Sequence, residues 1–405
     1  MPNELLILQH VELFSPLSLP GGAVLVNRIA KASMEENLAA AGQVPDHRLR
    51  KLYRAWGSGG AGLLLTGNVM VDARAVTGPA GVVLDERSPL APFASWARAA
   101  RAGGAQVWMQ LNHPGRQVRA DQGGVAWSPS GIPIGGDFAL PSTMSVADIR
   151  TLVRMFATSA ARAAEAGFTG VQIHGAHGYL LSQFLSPLVN RRTDGWGGSV
   201  RARARLLLEV VRAVREALPA GVSVGVKLNT ADFQRGGFGP DDALEVVALL
   251  GELPVDLLEL SGGSAERPAM HGAGMSERTR SREAYFLDLA KEVVAAAPMP
   301  VMLTGGIRTR AGACEVLAAG VAVVGVATAL AQRPTLPRDW ERGNPGPAAL
   351  SAPSAAKQAA VRWLLRRTAA TGTTPSSVDP AAALRLDQRR RAGLLSRYRE
   401  WLATR

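Results

Sequence analysis

A single cysteine, Cys314, stands in a chain of 405 residues. A lone thiol excludes an internal disulfide. It also excludes a cysteine-ligated iron–sulfur cluster, which needs several thiolates. No run of about 18 uninterrupted apolar residues occurs, so no membrane-spanning helix is expected. The opening MPNELLILQHVELFSPL has an acid where a secretory leader has basic residues, and it lacks a proper apolar core. A cytoplasmic protein is therefore expected. No HExxH or similar zinc spacing is present. No GxGxxG follows the first strand candidate, which argues against an open dinucleotide-binding sheet. The net charge is +12, with arginine greatly outnumbering lysine, yet no RNA- or DNA-binding motif accompanies it. The arginines are spread along helix-like segments and are densest at Arg385–Arg391. They read as solvated helix faces with some attraction for anions, not as a nucleic-acid surface.

What the chain does contain is a long alternation of strand and helix signals. It is 47% hydrophobic and 19% charged, enough to bury a large core. Two apolar runs, VELFSPLSL and AVLVNRIA, flank Pro20-Gly21-Gly22 and read as a hairpin. Strands are expected at 29–34, 61–71, 106–111, 171–174, 222–229, 256–263, 301–306 and 322–327. Helices are expected at Asp46–Trp56, from Ser88-Pro89 to about Ala102, at Val146–Ala166 closed by Gly167, and at Val200–Leu218 behind an N-cap at Ser199. Three more are expected at about Pro240–Leu253, about Arg282–Ala297 and 310–319. The stretch 121–145 is long for a structureless connection, which hints at function. Repeated βα units imply a parallel sheet with helices outside, and eight of them imply a closed (β/α)8 TIM barrel. We assign residues 1–343 to this barrel, with the hairpin at its N-terminus. Residues 344–405 form a linker and a helical extension, with helices at about 354–369 and 380–403, packed on the barrel or projecting from it. A role for the extension in a homo-oligomer is left open.

Barrel enzymes keep their active sites at the C-terminal ends of the strands. There the sequence places Ser33-Met34-Glu35, Gly67, Gln110-Asn112-His113, His174-His177-Tyr179, Lys227-Asn229, Ser261-Gly262-Gly263, Gly305-Gly306 and Ala327-Thr328. Strand alternation turns Gln172 and His174 to one side and Val171 and Ile173 to the other. In the fifth strand it separates Lys227 from Val226 and Leu228. His174 and His177 with His113 could be imagined around a metal, but the ligand spacing is wrong and no metal is expected. Two neutral histidines can instead hydrogen-bond an oxygen that gains charge, while Tyr179 supplies a proton. Small, glycine-rich ends of strands seven and eight suit a phosphate group.

These motifs carry a resemblance. NRIAKASM (27–34), QLNHPGRQ (110–117), GVQIHGAHGYLLSQFLSPLVNRRTDGWGGS (170–199), VGVKLN (224–229), LTGGIR (303–308) and VGVATAL (324–330) resemble the Old Yellow Enzyme family of FMN-dependent ene-reductases and NADH:flavin oxidoreductases. The resemblance implies FMN held non-covalently at the barrel mouth. Ala32, Ser33, Met34, Gly67 and Gln110 would contact the isoalloxazine, and Lys227 would lie near flavin N1. Gly305, Gly306, Ala327 and Thr328 would take the phosphate. His174 and His177 would bind the activating oxygen of the substrate, and Tyr179 would donate the proton. NADH or NADPH would be the hydride donor, and an electron-poor alkene such as an enone, enal or nitroalkene the acceptor. Four positions depart from the family pattern. Glu35 replaces a Thr or Cys at the flavin edge, and either meets the flavin or turns to solvent or Lys31. Asn112 replaces a Trp, which would enlarge a substrate pocket shared with His113. Lys227 replaces an Arg. Thr328 replaces the phosphate-binding Arg, for which Arg308 is a candidate substitute. Three alternatives stand beside this reading: a flavin-dependent dehydrogenase or demethylase, a cofactor-free lyase using Lys227, and an idle barrel whose basic tail binds an acidic partner.

Overall fold

The computed structural model describes residues 12–271 and 283–405. The leader reading of the first residues, and the helix start expected at Arg282, lie outside the described residues.

Eight parallel strands pair in chain order and close on themselves: β1 (Ile29–Lys31), β2 (Leu63–Leu65), β3 (Gln106–Asn112), β4 (Gly170–Gly175), β5 (Ser223–Asn229), β6 (Leu257–Ser261), β7 (Val301–Thr304) and β8 (Val323–Val326). β8 pairs with β1, and β3 with β4, which makes the sheet a TIM barrel as expected. Between successive strands lie the helices α1 (His47–Gly57), α2 (Leu90–Arg101), α3 (Val146–Glu165), α4 (Val200–Ala217), α5 (Pro240–Gly251), α6 (Leu287–Ala296) and α7 (Arg310–Ala318). Local chemistry sets their ends. Asp46 accepts from the Arg48 N–H at 2.8 Å to start α1, and Ser199 accepts from Ala202 at 3.3 Å to start α4. Gly167, at φ +89°, ends the turn after α3 in a left-handed conformation that suits glycine.

Three local expectations are corrected. Pro89 occupies the N-cap of α2, and Ser88 does not cap it: its hydroxyl instead bonds the Val83 carbonyl and Asp85. The second strand is split. Val69–Met70 leaves β2 after Gly67 and pairs with Leu111 and Asn112, above the barrel rim. The break follows from Gly67, whose N–H bonds the Glu36 carboxylate at 3.0 Å and the Tyr53 hydroxyl at 3.1 Å. Finally, the long connection at 121–145 is folded, with Trp127–Ser128 paired to Ser142–Thr143.

The barrel interior is apolar below and polar above. Its lower layers hold Ala30, Leu63, Leu65, Trp108, Leu257, Met302 and Val323. Gly170 and Gly225 make room for the Trp108 indole: a Cβ on either would come within 2.6 or 2.9 Å of it. The expected hairpin, Leu17–Ser18 against Val24–Leu25, closes the bottom and adds Leu19 and Leu25 to this cluster. Asp256 holds it there, accepting from Gly21 N at 2.5 Å and from Val224 N at 2.7 Å.

The extension is packed on the barrel. Leu365 and Ala369 of α8 (Ser354–Thr371) join the main core, where α8 lies against α1. α9 (Pro380–Leu402) lies on α8 through Asp387, which takes hydrogen bonds from Arg362 and Arg366 at 2.7 Å each. Its far end is tied by the Tyr398 hydroxyl to the Ala73 carbonyl at 2.9 Å, and by Arg391 to Asp121. Among the described residues no helix is long and apolar enough to cross a membrane.

Trp108→Ala should lower stability by about 3–5 kcal/mol, since the void lies between two glycines that cannot fill it. Urea unfolding measures this, and a loss below about 1 kcal/mol would mean that the interior collapses around the gap.

Candidate active site

Strand alternation brings one polar layer to the top of the barrel. Register sets Gln172 beside Gln110, His174 beside Lys227, and Lys227 beside Glu259. Their side chains form a continuous hydrogen-bonded chain. Ser33 Oγ donates to Gln110 Oε1, Gln110 Nε2 to Gln172 Oε1, and Gln172 Nε2 to Glu259 Oε2, each at 2.7 Å. Glu259 Oε1 accepts from Lys227 Nζ and from Thr304 Oγ1, also at 2.7 Å. Glu259 is wholly buried and Lys227 nearly so. Removing either charge would strand the other in the interior, at a cost of about 3–5 kcal/mol. Glu259 was not among the expected site residues. The signal was there: one acid within the apolar strand LLELS, on the inward-facing alternation.

Above this layer lies a cavity of about 480 Å³. Of the expected residues, Ser33, Met34, Glu35, Gln110, His174, His177, Tyr179, Lys227, Gly305, Ala327 and Thr328 line it. His174 Nδ1 accepts from the Ala176 N–H at 3.2 Å, which puts the ring proton on Nε2. Burial, and then the Lys227 charge, hold its pKa well below the usual histidine value, so the ring is neutral at physiological pH. His177 Nε2 lies 2.8 Å from Ser261 Oγ, and its backbone N–H donates to Asn229 Oδ1. The His177 and Tyr179 rings each stand edge-on to His174, with centroids 5.0 Å away. Burial raises the Tyr179 pKa, the Glu35 charge adds to this, and a hydrogen bond with Asn68 opposes it. Asn68, like Glu259, was not singled out from the sequence.

Other expected residues fall elsewhere. Gly67 does not line the cavity, because its N–H is spent on Glu36 and Tyr53, and a Cβ would collide with the Glu36 carboxylate. Ala32 is buried in the barrel interior. Gly306 sits behind Gly305, against the Tyr285 ring. Asn112 and His113 do not line the cavity either. β3 outruns the barrel, and its last residues are covered by the pairing of Leu111 and Asn112 with Val69 and Met70. His113 is stacked on Trp127 at 5.3 Å, and its Nδ1 accepts from Gly115 N at 3.0 Å. Glu35 turns neither to solvent nor to Lys31. It faces the cavity and takes a hydrogen bond from the Thr77 hydroxyl. It is the neighbouring Glu36 that pairs with buried Lys31, at 3.8 Å. Arg308 is off the cavity and paired with Glu283 at 3.5 Å. No group of acidic, His and Cys side chains among the described residues could hold a metal.

The extension completes the cavity wall through Lys357, Gln358, Val361 and Arg362 of α8. Nothing in the sequence signalled this. The lining therefore holds the cations Arg119, Lys227, Lys357 and Arg362, with Glu35 as the one carboxyl group among the described lining residues. Asn68 Oδ1 is buried at this wall without a hydrogen-bond partner. A polar floor, an orphaned acceptor and an excess of positive charge suit a planar, polar, anionic cofactor such as a flavin nucleotide.

The model of the NADH:flavin oxidoreductase / NADH oxidase family matches residues 12–345. The chain belongs to this family. This flavin oxidoreductase is 36% identical to the NADH-dependent flavin oxidoreductase iliE of Hypocrea jecorina, over 80% of this chain and 87% of that protein. It is also 36% identical to an NADPH dehydrogenase of Bacillus pumilus, over 63% of this chain and 74% of the relative. Among solved structures, the old yellow enzyme homologue from Zymomonas mobilis superposes with a TM-score of 0.71 at 22% identity, covering 84% of this chain and 95% of the other. Morphinone reductase in complex with tetrahydroNAD superposes at 0.69 and 24% identity, covering 85% and 93%. These two likenesses establish the fold. The family and its relatives make the protein an NAD(P)H-dependent flavin oxidoreductase.

Burial raises the Glu35 pKa, while the Thr77 hydrogen bond opposes the rise. A carboxyl whose folded pKa is raised supports folding fully below the ordinary carboxylate range, and that support is lost as pH rises through the folded value. Glu35→Gln should therefore gain stability relative to the parent between pH 5 and pH 8, by about 1.4 kcal/mol for each tenfold by which folding tightens the carboxyl's hold on its proton. Denaturant midpoints at both pH values test this, and a pH-independent difference would mean that Glu35 is ionised throughout.

Proposed function

We propose that the protein binds FMN non-covalently in this cavity, takes reducing equivalents from NADH or NADPH, and reduces the C=C bond of an electron-poor alkene such as an enone, enal or nitroalkene. Such donors suit the cytoplasmic setting expected above. FMN, when bound, supplies the acceptance and delivery of hydride. The observation that carries the reading is the pairing of a neutral His174, with its proton on Nε2, and a protonated Tyr179 on one wall of a cation-rich cavity.

The residues divide the work by chemistry. His174 Nε2–H donates to the carbonyl or nitro oxygen of the substrate, with His177 beside it, and so favours charge developing on that oxygen. A neutral imidazole does this without surrendering its proton. Tyr179 Oη gives the proton to the α-carbon while hydride reaches the β-carbon, and Asn68 fixes the phenol's direction. Lys227 holds a positive charge against the flavin ring, and Glu259 keeps that ammonium in place. Ser33 and Gln110, joined to each other, offer polar contacts to the ring edge. Gly305, Ala327 and Thr328 receive the phosphate end. Glu35, which takes a hydrogen bond from Thr77, would offer its carboxyl to the flavin's O4 edge.

The same geometry weighs against a lyase. A Schiff-base lysine must have its amine free to attack, and the Lys227 nitrogen is engaged by the buried Glu259 carboxylate at 2.7 Å.

The absorbance spectrum of the purified protein, with FMN identified after denaturation, tests the cofactor. A colourless protein that takes up no FMN would sink the proposal. Tyr179→Phe should slow the alkene half-reaction about 10²- to 10⁴-fold, while reduction by NAD(P)H stays within about twofold. Anaerobic stopped-flow absorbance separates the two halves, and equal slowing of both would remove Tyr179 from the donor role.

A further inference from the structure

Among the described residues, one cation in the cavity wall has no carboxylate partner. Lys227 is paired with Glu259, Arg362 with Asp387 and Arg119 with Asp137. Lys357 has no carboxylate and no hydrogen-bond acceptor for its ammonium among the described residues. It is half-buried on the first turn of α8 and lines the cavity together with Gly305, Ala327 and Thr328. Burial lowers its pKa, and the neighbouring Arg308 charge lowers it further. Arg308 is itself engaged: Glu283 accepts from its backbone N–H at 2.9 Å and faces its guanidinium. An ammonium held against another cation, in a partly dehydrated wall, is unfavourable until an anion arrives. Thr328, at the end of β8, offers a hydroxyl and no charge to such an anion.

We propose that Lys357, from the C-terminal extension, is the cation that binds the phosphate of FMN. The assignment rests on the FMN reading above. It also lies outside the family match, which ends at residue 345. The extension thus contributes to the cofactor site in cis. The barrel supplies the shape of the phosphate end through Gly305, Ala327 and Thr328, and α8 supplies the charge. Holding the phosphate from α8 also couples cofactor binding to the seating of the extension, since α8 is clamped by Asp387 through Arg362 and Arg366.

Riboflavin carries the same ring system as FMN without the phosphate, so it separates this claim from the cofactor reading. Apoprotein is titrated with FMN and with riboflavin by flavin fluorescence, for the parent, Lys357→Gln, Lys357→Arg and Arg308→Gln. We expect Lys357→Gln to weaken FMN about tenfold to a hundredfold, as for a lost charge-assisted hydrogen bond. Riboflavin affinity should hold within about twofold, which also shows that the variant is folded. Lys357→Arg should recover most of the FMN preference, and Arg308→Gln should change it little. An unchanged ratio of FMN to riboflavin affinity in Lys357→Gln would overturn the assignment. So would loss of the preference in Arg308→Gln alone. Weakened NADPH binding with unchanged flavin selectivity would give the lysine to the nicotinamide donor's phosphate and overturn it too. If the unaltered protein bound neither flavin, the cofactor reading would fall, and this assignment with it.

Discussion

The buried ion pair of Lys227 and Glu259 is the constraint on which the upper barrel depends. Two opposite charges on neighbouring strands are withdrawn from water, and each is tolerable only because the other is within 2.7 Å. Glu259 has oxygen sites left over, and these organise the rest: Thr304 from β7 on one side, and Gln172, Gln110 and Ser33 in sequence on the other. Five strands and the turn after β1 are tied into one network in this way. The network also sets the electrostatics of the wall. Glu259 fixes the position of Lys227, whose charge adds to burial in keeping His174 neutral. A single inward acid thus sets the floor of the cavity, the position of the Lys227 charge and, through that charge, part of what keeps His174 neutral.

The neighbouring carboxylates Glu35 and Glu36 illustrate how little separates structure from chemistry at such a rim. Glu36 turns outward, into the buried cluster with Lys31, Tyr53 and the Gly67 N–H, and fastens β1 to α1 and to the break in the second strand. Glu35 turns inward and takes a hydrogen bond from the Thr77 hydroxyl. One is neutralised by a lysine. The other is left in the cavity, where burial favours its protonated form. The protein therefore brings a carboxyl into the cavity. The extension has a comparable part in the same cavity, to which α8 supplies Lys357 and Arg362.

Much of this was legible in the sequence, for identifiable reasons. The (β/α)8 order follows from repeated apolar runs of strand length between helical stripes, and the helix starts at Asp46 and Ser199 follow from side chains that cap locally. His174, Tyr179, Gln110 and Lys227 could be placed because alternation along a strand decides which side chains face inward, and the barrel puts strand ends together. Other expected residues lie off the cavity for reasons of another kind. Asn112 and His113 have the residue types of a pocket, yet Val69 and Met70 roof that strand end over. Gly67 has the look of a cofactor contact, but its N–H is taken by Glu36, which is distant in the fold until β1 and β2 pair.

Fold and family, and the convergence of His174, His177 and Tyr179 on one cavity, could be read from the chain alone, because each depends on periodicity or on residues close together in it. Which carboxylate meets which cation emerged only in three dimensions. Glu259 is 32 residues from Lys227, Glu36 is 31 from Gly67, and the α8 residues lie more than 300 beyond Glu35, with which they share the cavity. Partner choice across such spans is set by strand register and helix packing, and by the free energy of leaving no buried charge alone. No local pattern encodes that.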